Sequence, residues 1–268
     1  MVMIDDDAPV TAPPAAPSGV REVSLVFGGG GAFGIAWHLA VIDALRDAGL
    51  ALDNAPAIGT SAGSWACAAL KLGLPFDAFA DIDDIAIPDR RAGVLAAVAR
   101  DLVGDATAPG VRISTVELPF LRRRLHDGAE HPIADLMAAS SAVPGVFAPH
   151  SIGGSRHVDG GVRSMASIDA AEPARLLVAS LPIAGPLFGP VGRVMETTSR
   201  AALARWRRST GGRTLVLRPG RRFSDLVGMR PHALFDQEVA RAVYPIAYAQ
   251  VAERIIARRH TLPVSIAA

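Results

Sequence analysis

Apolar and polar positions alternate along the chain in a repeating way: a short β-branched run ends in glycine, and a longer apolar stretch follows. Val23-Ser24-Leu25-Val26-Phe27 predicts a strand, Gly28-Gly29-Gly30-Gly31 a turn, and Ala32 to Ala48 a helix stopped by Gly49. That helix is apolar on nearly every face until Asp43, so its first half is expected in the core. The unit then repeats. Ala57-Ile58 runs into Gly59-Thr60-Ser61-Ala62-Gly63, and small helix formers continue to Leu72 before Gly73 and Pro75. Asp77 to Val103 reads as mostly helical, with Asp89-Arg90-Arg91 opening its second piece. Ser114-x-x-Glu117 reads as a capping box for a helix to about Leu125, with Pro119 in its first turn.

Further on, Ile133 opens a helix stopped by Pro144 and Gly145, and a hairpin follows through Ile152, Gly153-Gly154 and His157-Val158 to Asp159-Gly160-Gly161. Leu176 to Ser180 and Thr214 to Leu217 predict buried strands, with a helix over Val191 to Arg208 between them. A final helix, about Leu234 to Arg258, places Phe235, Val239, Val243, Ile246 and Ile255 near one side, with Pro245 as a kink. Strands alternating with helices predict an α/β fold on a parallel sheet.

Composition narrows the partners. A net charge of +1 gives no field for nucleic acid, and Arg123-Arg124 and Arg207-Arg208 read as solvated helix faces. Lys71 is the only lysine, so no Walker-type lysine follows the glycine turn. Cys67, the one cysteine, sits among alanines and reads as a buried filler. Residues 1–20 begin with an acidic run and continue Ala/Pro-rich, which predicts a disordered tail before one domain over 21–268. There is no secretory pattern, and the charge-free run Leu176 to Gly192 carries three prolines, so a cytoplasmic protein without a spanning helix is expected.

Two glycine turns carry the candidate chemistry. Gly29-x-Gly31-x-x-Gly34 satisfies a dinucleotide fingerprint, yet the acidic residue that should end the second strand is missing: Asp53 precedes that strand, and Ser61 follows it. An oxyanion hole fits better, because unobstructed N–H groups at Gly28, Gly29, Gly30 and Gly31 lie at the same sheet edge as the serine elbow. Ser61 is the candidate nucleophile. Asp159, between a short strand and two glycines, is presented on a turn.

Three segments in this order, Gly28 to Gly34, Gly59 to Gly63 and Asp159 to Gly161, together with Ala139-Ser140-x-x-x-Pro144, resemble the patatin-like phospholipase family over roughly residues 22–180. The resemblance implies a three-layer α/β sandwich with a central, mostly parallel sheet. It also implies lipid acyl ester hydrolysis by a Ser61–Asp159 dyad, with Gly28 to Gly31 as oxyanion donors and no metal or organic cofactor. The chain departs from the family at Phe33, where many members carry a basic residue, and at Arg163-Ser164-Met165-Ala166, where many carry Asn-Pro. A catalytically silent lipid-binding protein on the same fold is the alternative.

Simple burial is the favoured reading of the charge-free Leu181 to Gly189 loop, and an apolar flap that meets acyl chains or makes peripheral contact with a membrane is the alternative. Among the histidines, His38, His150 and His157 are candidates for a triad, although packing or surface roles suit each better. Asp159→Asn is expected to abolish ester hydrolysis, while His157→Ala keeps most of it; rate measurements giving the reverse ranking would defeat the dyad.

Overall fold

The computed structural model describes residues 20–80, 82, 87–227 and 231–264. The tail expected over residues 1–20 lies outside them, apart from Val20. All the strands join one sheet: β1 (Arg21–Phe27), β2 (Ala57–Thr60), β3 (Val111–Glu117), β4 (Arg122–Asp127), β5 (His150–Ile152), β6 (Ser155–Asp159), β7 (Ala174–Ser180) and β8 (Arg213–Leu217). β3, β2, β1, β7 and β8 run parallel in that spatial order, while β4, β5 and β6 add antiparallel pairs.

Both faces of this sheet are covered, which makes three layers. On one face Leu25, Phe27, Ile113, Leu176, Val178 and Leu215 pack under α1 (Gly31–Asp47), α2 (Ala62–Leu72), α5 (Ile133–Ser140) and α8 (Gln237–Arg258). On the other, Val26, Ile58, Leu177 and Ala179 meet α6 (Gly189–Thr210) through Met195, Leu203 and Trp206. Period-two alternation within β1 and β7 thus sends successive side chains to opposite layers. The one-turn α3 (Asp77–Ala80), α4 (Val94–Val103) and one-turn α7 (Ser224–Val227) complete the described helices of α type.

The first half of the chain folds largely as its pattern predicts, with two corrections. Ser114-x-x-Glu117 is not a capping box. The stretch is strand β3, which turns at Pro119-Phe120-Leu121 into antiparallel β4, so Arg123 and Arg124 lie on a strand and not on a helix face. The β-branched residues Val111, Ile113, Thr115 and Val116 favour a pleated, buried position, and that preference overrides the four-residue cap pattern. Between α3 and α4, Asp89 makes a parallel bridge to Phe147 where helix was expected.

The α8 stripe is also rotated from the expected one. Ala240, Val243, Ala247, Val251 and Ile255 are buried, because the two alanines let α8 lie close along α1. Tyr244 and Tyr248 fasten that contact by donating to Asp43 and Asp47, at 2.7 and 2.5 Å. The first part of the charge-free loop after β7 is buried, as simple burial predicts, while Pro186 is exposed and Leu187 and Phe188 are half-buried. Leu181, Ile183 and Ala184 are buried, and Phe188 packs edge-on against Phe33.

One arrangement positions everything that follows. β4 pairs with β3 along Arg112 to Glu117 and so occupies one side of it. The other side is shared: parallel β2 pairs as far as Ser114, opposite Thr60, and antiparallel β6 pairs from Glu117 back to Thr115, opposite Asp159. The carboxyl ends of β2 and β6 therefore meet head to head. Residue 61 and residue 159 become neighbours although ninety-odd positions separate them in the chain.

Close approach of backbone at this junction and around the serine elbow leaves room only for glycine at three positions. A Cβ on Gly59 would lie 2.4 Å from the Gly63 carbonyl oxygen, one on Gly63 2.0 Å from that of Phe27, and one on Gly160 2.3 Å from that of Ser114. Gly63→Ala should therefore destabilise the fold by about 3 kcal/mol in denaturant unfolding, as forced overpacking of backbone does. Gly73→Ala meets nothing within 4 Å at a φ of +67°, and should cost about 1 kcal/mol from its left-handed backbone alone.

Candidate active site

Ser61 sits where β2 turns into α2, with φ 54° and ψ −123°, a conformation that a side-chain-bearing residue holds only when its surroundings fix it. Ser140, at the end of α5, supplies part of that hold. Its buried hydroxyl accepts from the Ser61 N–H and donates to the Ser114 carbonyl, both at 2.8 Å, tying the elbow to β3 beside the strand junction. Below the elbow, the Ser61 carbonyl accepts from the Ser64 N–H and hydroxyl, at 2.8 and 2.7 Å.

Asp159 ends β6 and caps the short turn of Gly160–Val162, accepting from the Gly161 N–H at 2.6 Å. Burial pushes its carboxyl up to about 6, and this outweighs the opposing pull of the Ser61 hydroxyl and the Gly161 N–H. Such a carboxyl is ionised at neutral pH, yet is a stronger base than an exposed aspartate.

The glycine turn offers fewer donors than its sequence suggested. The Gly28 N–H donates to the Ser180 carbonyl at 3.0 Å and the Gly29 N–H to the Met165 carbonyl at 2.8 Å, so both are already committed. The N–H groups of Gly30, Gly31 and Ala62 have no hydrogen-bond partner among the described residues. Gly29 still matters sterically: a Cβ there would touch the Ser61 Cβ at 3.4 Å.

Behind the turn lies a buried network that the sequence did not disclose. His38 places Nε2 2.7 Å from the Gly28 carbonyl and Nδ1 2.7 Å from the Ser180 hydroxyl, which also accepts from Trp37 Nε1 at 3.1 Å. A carbonyl only accepts, so Nε2 carries the proton and Nδ1 takes that of Ser180. Burial lowers His38 to about 4, which keeps it neutral. The peptide between Gly28 and Gly29 is thereby held at both ends, its oxygen by His38 and its N–H by Met165. The signal was present as one histidine inside an apolar helix.

The other triad candidates are engaged elsewhere. His157 Nδ1 lies 3.0 Å from the Thr115 hydroxyl and its ring meets His126 edge-on, while His150 faces Asp135 at 3.0 Å. Phe33 points into the core between Phe188 and Phe223 and not toward the serine. Cys67 is fully buried, and burial pushes its thiol up, as suits a filler.

An apolar cavity of about 90 Å³ opens over Ser61, walled by Ile35, Leu95, Val98, Val143 and Phe147 with Gly31 and Ala62 at its base. Trp65 lines this cavity and donates from Nε1 to the Ser141 hydroxyl at 2.9 Å. Among the described residues no helix is long and apolar enough to cross a membrane.

Residues 88–172, the segment that carries Ser140 and Asp159, match the family model described as Patatin-like phospholipase. The match covers less than half of the chain and leaves Ser61 outside it. The three-layer sheet has the mostly parallel order expected from the sequence. Among solved structures, VipD from Legionella pneumophila is similar at a TM-score of 0.47 and 13% identity, over 90% of this chain and 67% of that one. No curated protein matches the chain.

The raised carboxyl has two consequences of opposite sign. If Asp159 is the base, kcat/KM should rise with pH through an inflection near 6, because only the ionised form accepts a proton. Its folded-state pKa exceeds the unfolded value, so its stabilising contribution is complete below pH 4 and is lost as pH rises through 6. Asp159→Asn should then raise stability by about 1–3 kcal/mol above pH 7 and by almost nothing near pH 4, as read by unfolding at the two pH values.

Proposed function

We propose that this chain hydrolyses carboxylic esters of lipids through an acyl-enzyme on Ser61, with Asp159 as general base. The observation that carries the reading is a strained serine beside a buried, basic carboxyl, at the floor of an apolar cavity. A serine hydroxyl is a poor nucleophile at neutral pH, and a carboxylate against it that is short of solvation takes its proton as the oxygen attacks the ester carbonyl. The same carboxyl, now protonated, returns that proton to the leaving alcohol. Water then enters, gives a proton to Asp159 and attacks the acyl carbonyl; the protonated carboxyl passes that proton to the departing Ser61 oxygen, which releases the fatty acid and restores the hydroxyl.

The negative charge that forms on the carbonyl oxygen needs fixed donors. Of the four glycines, Gly30 and Gly31 remain for this role, joined by the N–H of Ala62, the residue after the nucleophile. Gly28 and Gly29 act differently, as the immobilised peptide from which the next donors extend. Each donor is worth on the order of 3 kcal/mol of barrier. The acyl chain enters between Ile35, Trp65 and Phe147, where burial of its methylenes replaces water with apolar contacts.

A panel of aryl esters, lysophospholipids and phospholipids, assayed with wild type and Ser61→Ala, tests this reading. Fatty acid release that falls at least a thousandfold in Ser61→Ala is the expected outcome. Lipid binding without serine-dependent release would instead assign the chain to the silent, lipid-binding class.

A further inference from the structure

The turn between β3 and β4 presents an unusual surface. Pro119, Phe120, Leu121 and Arg122 are all exposed, and Phe120, at 75% exposed, is the barest large hydrophobic residue among the described ones; Leu121 is at 45%. Leu121 has a φ of +51°, a left-handed backbone that a branched side chain adopts at a cost in free energy. Neither side chain recovers that cost by burial within the protein.

Charge around the tip is one-sided. The Arg122 guanidinium lies 5.4 Å over the Phe120 ring and has no carboxylate partner among the described residues. Arg156, whose carbonyl receives the Leu118 N–H at the base of the turn, is likewise exposed and without an ion pair there. The neighbouring Arg123 and Arg124 are instead matched by Asp169 and Glu117.

The position of the tip is set by the sheet. β2 ends at Thr60 opposite Ser114, while β3 continues to Glu117 before turning. Three further residues carry the tip about 10 Å beyond the level of the serine elbow, at the same carboxyl edge of the parallel strands.

We propose that Phe120 and Leu121, flanked by Arg122 and Arg156, form a docking tip for a membrane surface that carries anionic lipids. The two apolar side chains enter the boundary between head groups and acyl chains, and the two guanidiniums meet lipid phosphates and carboxylates at the head-group level. Docking in this way turns the edge that bears Ser61 toward the bilayer. The binding itself does not require that Ser61 be a nucleophile.

Sedimentation of the full chain with phosphatidylcholine vesicles, with and without phosphatidylserine, tests the proposal. Wild type should partition onto the phosphatidylserine vesicles and be weakened by salt. Phe120→Ser/Leu121→Ser should lower that partition by roughly tenfold, and Arg122→Gln by several-fold with a shallower salt dependence. Thermal unfolding should be unchanged in all variants, since the altered side chains are exposed. Hydrolysis of a water-soluble aryl ester should also be unchanged, which separates this proposal from the one at Ser61: a chain with no esterase activity would still show the vesicle partition. Equal partition of wild type and the double variant, or no binding of wild type to anionic vesicles, overturns the proposal. So does self-association that the double variant abolishes in the absence of vesicle binding, which would make the tip a protein contact.

Discussion

Two strands arriving from opposite directions compete for one side of β3, and the compromise between them sets the rest of the site. A parallel strand that ends opposite Ser114 and an antiparallel one that ends opposite Thr115 leave no gap between their carboxyl ends. Backbone atoms at such a junction crowd together, which is why Gly160, set against the Ser114 carbonyl, cannot carry a side chain. The junction also interrupts regular hydrogen bonding. Ser140 bridges part of the break, and the Ser114 hydroxyl, buried beside it, is the one buried side-chain polar atom left without a partner among the described residues. An orphaned hydroxyl of this kind opposes folding, so the head-to-head arrangement is held against a local penalty by the sheet and helices around it.

The glycine turn depends on a second constraint, the satisfaction of buried polar groups. In a low-dielectric interior an imidazole persists only when both of its nitrogens are engaged. His38 meets that condition by joining Trp37 and Ser180 on one side to the Gly28 carbonyl on the other. The chain of bonds orients a glycine segment that would otherwise have many conformations open to it. Rigidity at this point keeps the unpaired N–H groups of the turn aimed in one direction before any ligand arrives.

Much of this was legible in the sequence, and the exceptions share a cause. The strand, turn and helix units around Gly28 to Gly31 and around Ser61 are local, written in neighbouring residues, and they fold as read. Asp159 was legible locally only as an acid on a turn ahead of two glycines, and its company with the two upstream glycine segments is what singled it out. What escaped depends on partners far along the chain. The Gly28 and Gly29 donors are taken by the carbonyls of Ser180 and Met165, which no local pattern announces. Ser114 and Glu117 mimic a helix cap until β2, β4 and β6 are present to pair with their strand. Likewise His38 read as a packing or surface residue, because nothing nearby in sequence indicated the carbonyl that it meets.

The junction on β3 also bears on how such a chain can change over time. Only two registers, Thr60 opposite Ser114 and Asp159 opposite Thr115, set the spacing of the pair. The segments that connect these strands lie outside that specification, so their lengths are free to drift while the pairing persists. β3 acts as a ruler shared by both partners, and insertions between them can alter lids, tips and surfaces without displacing the two residues it aligns.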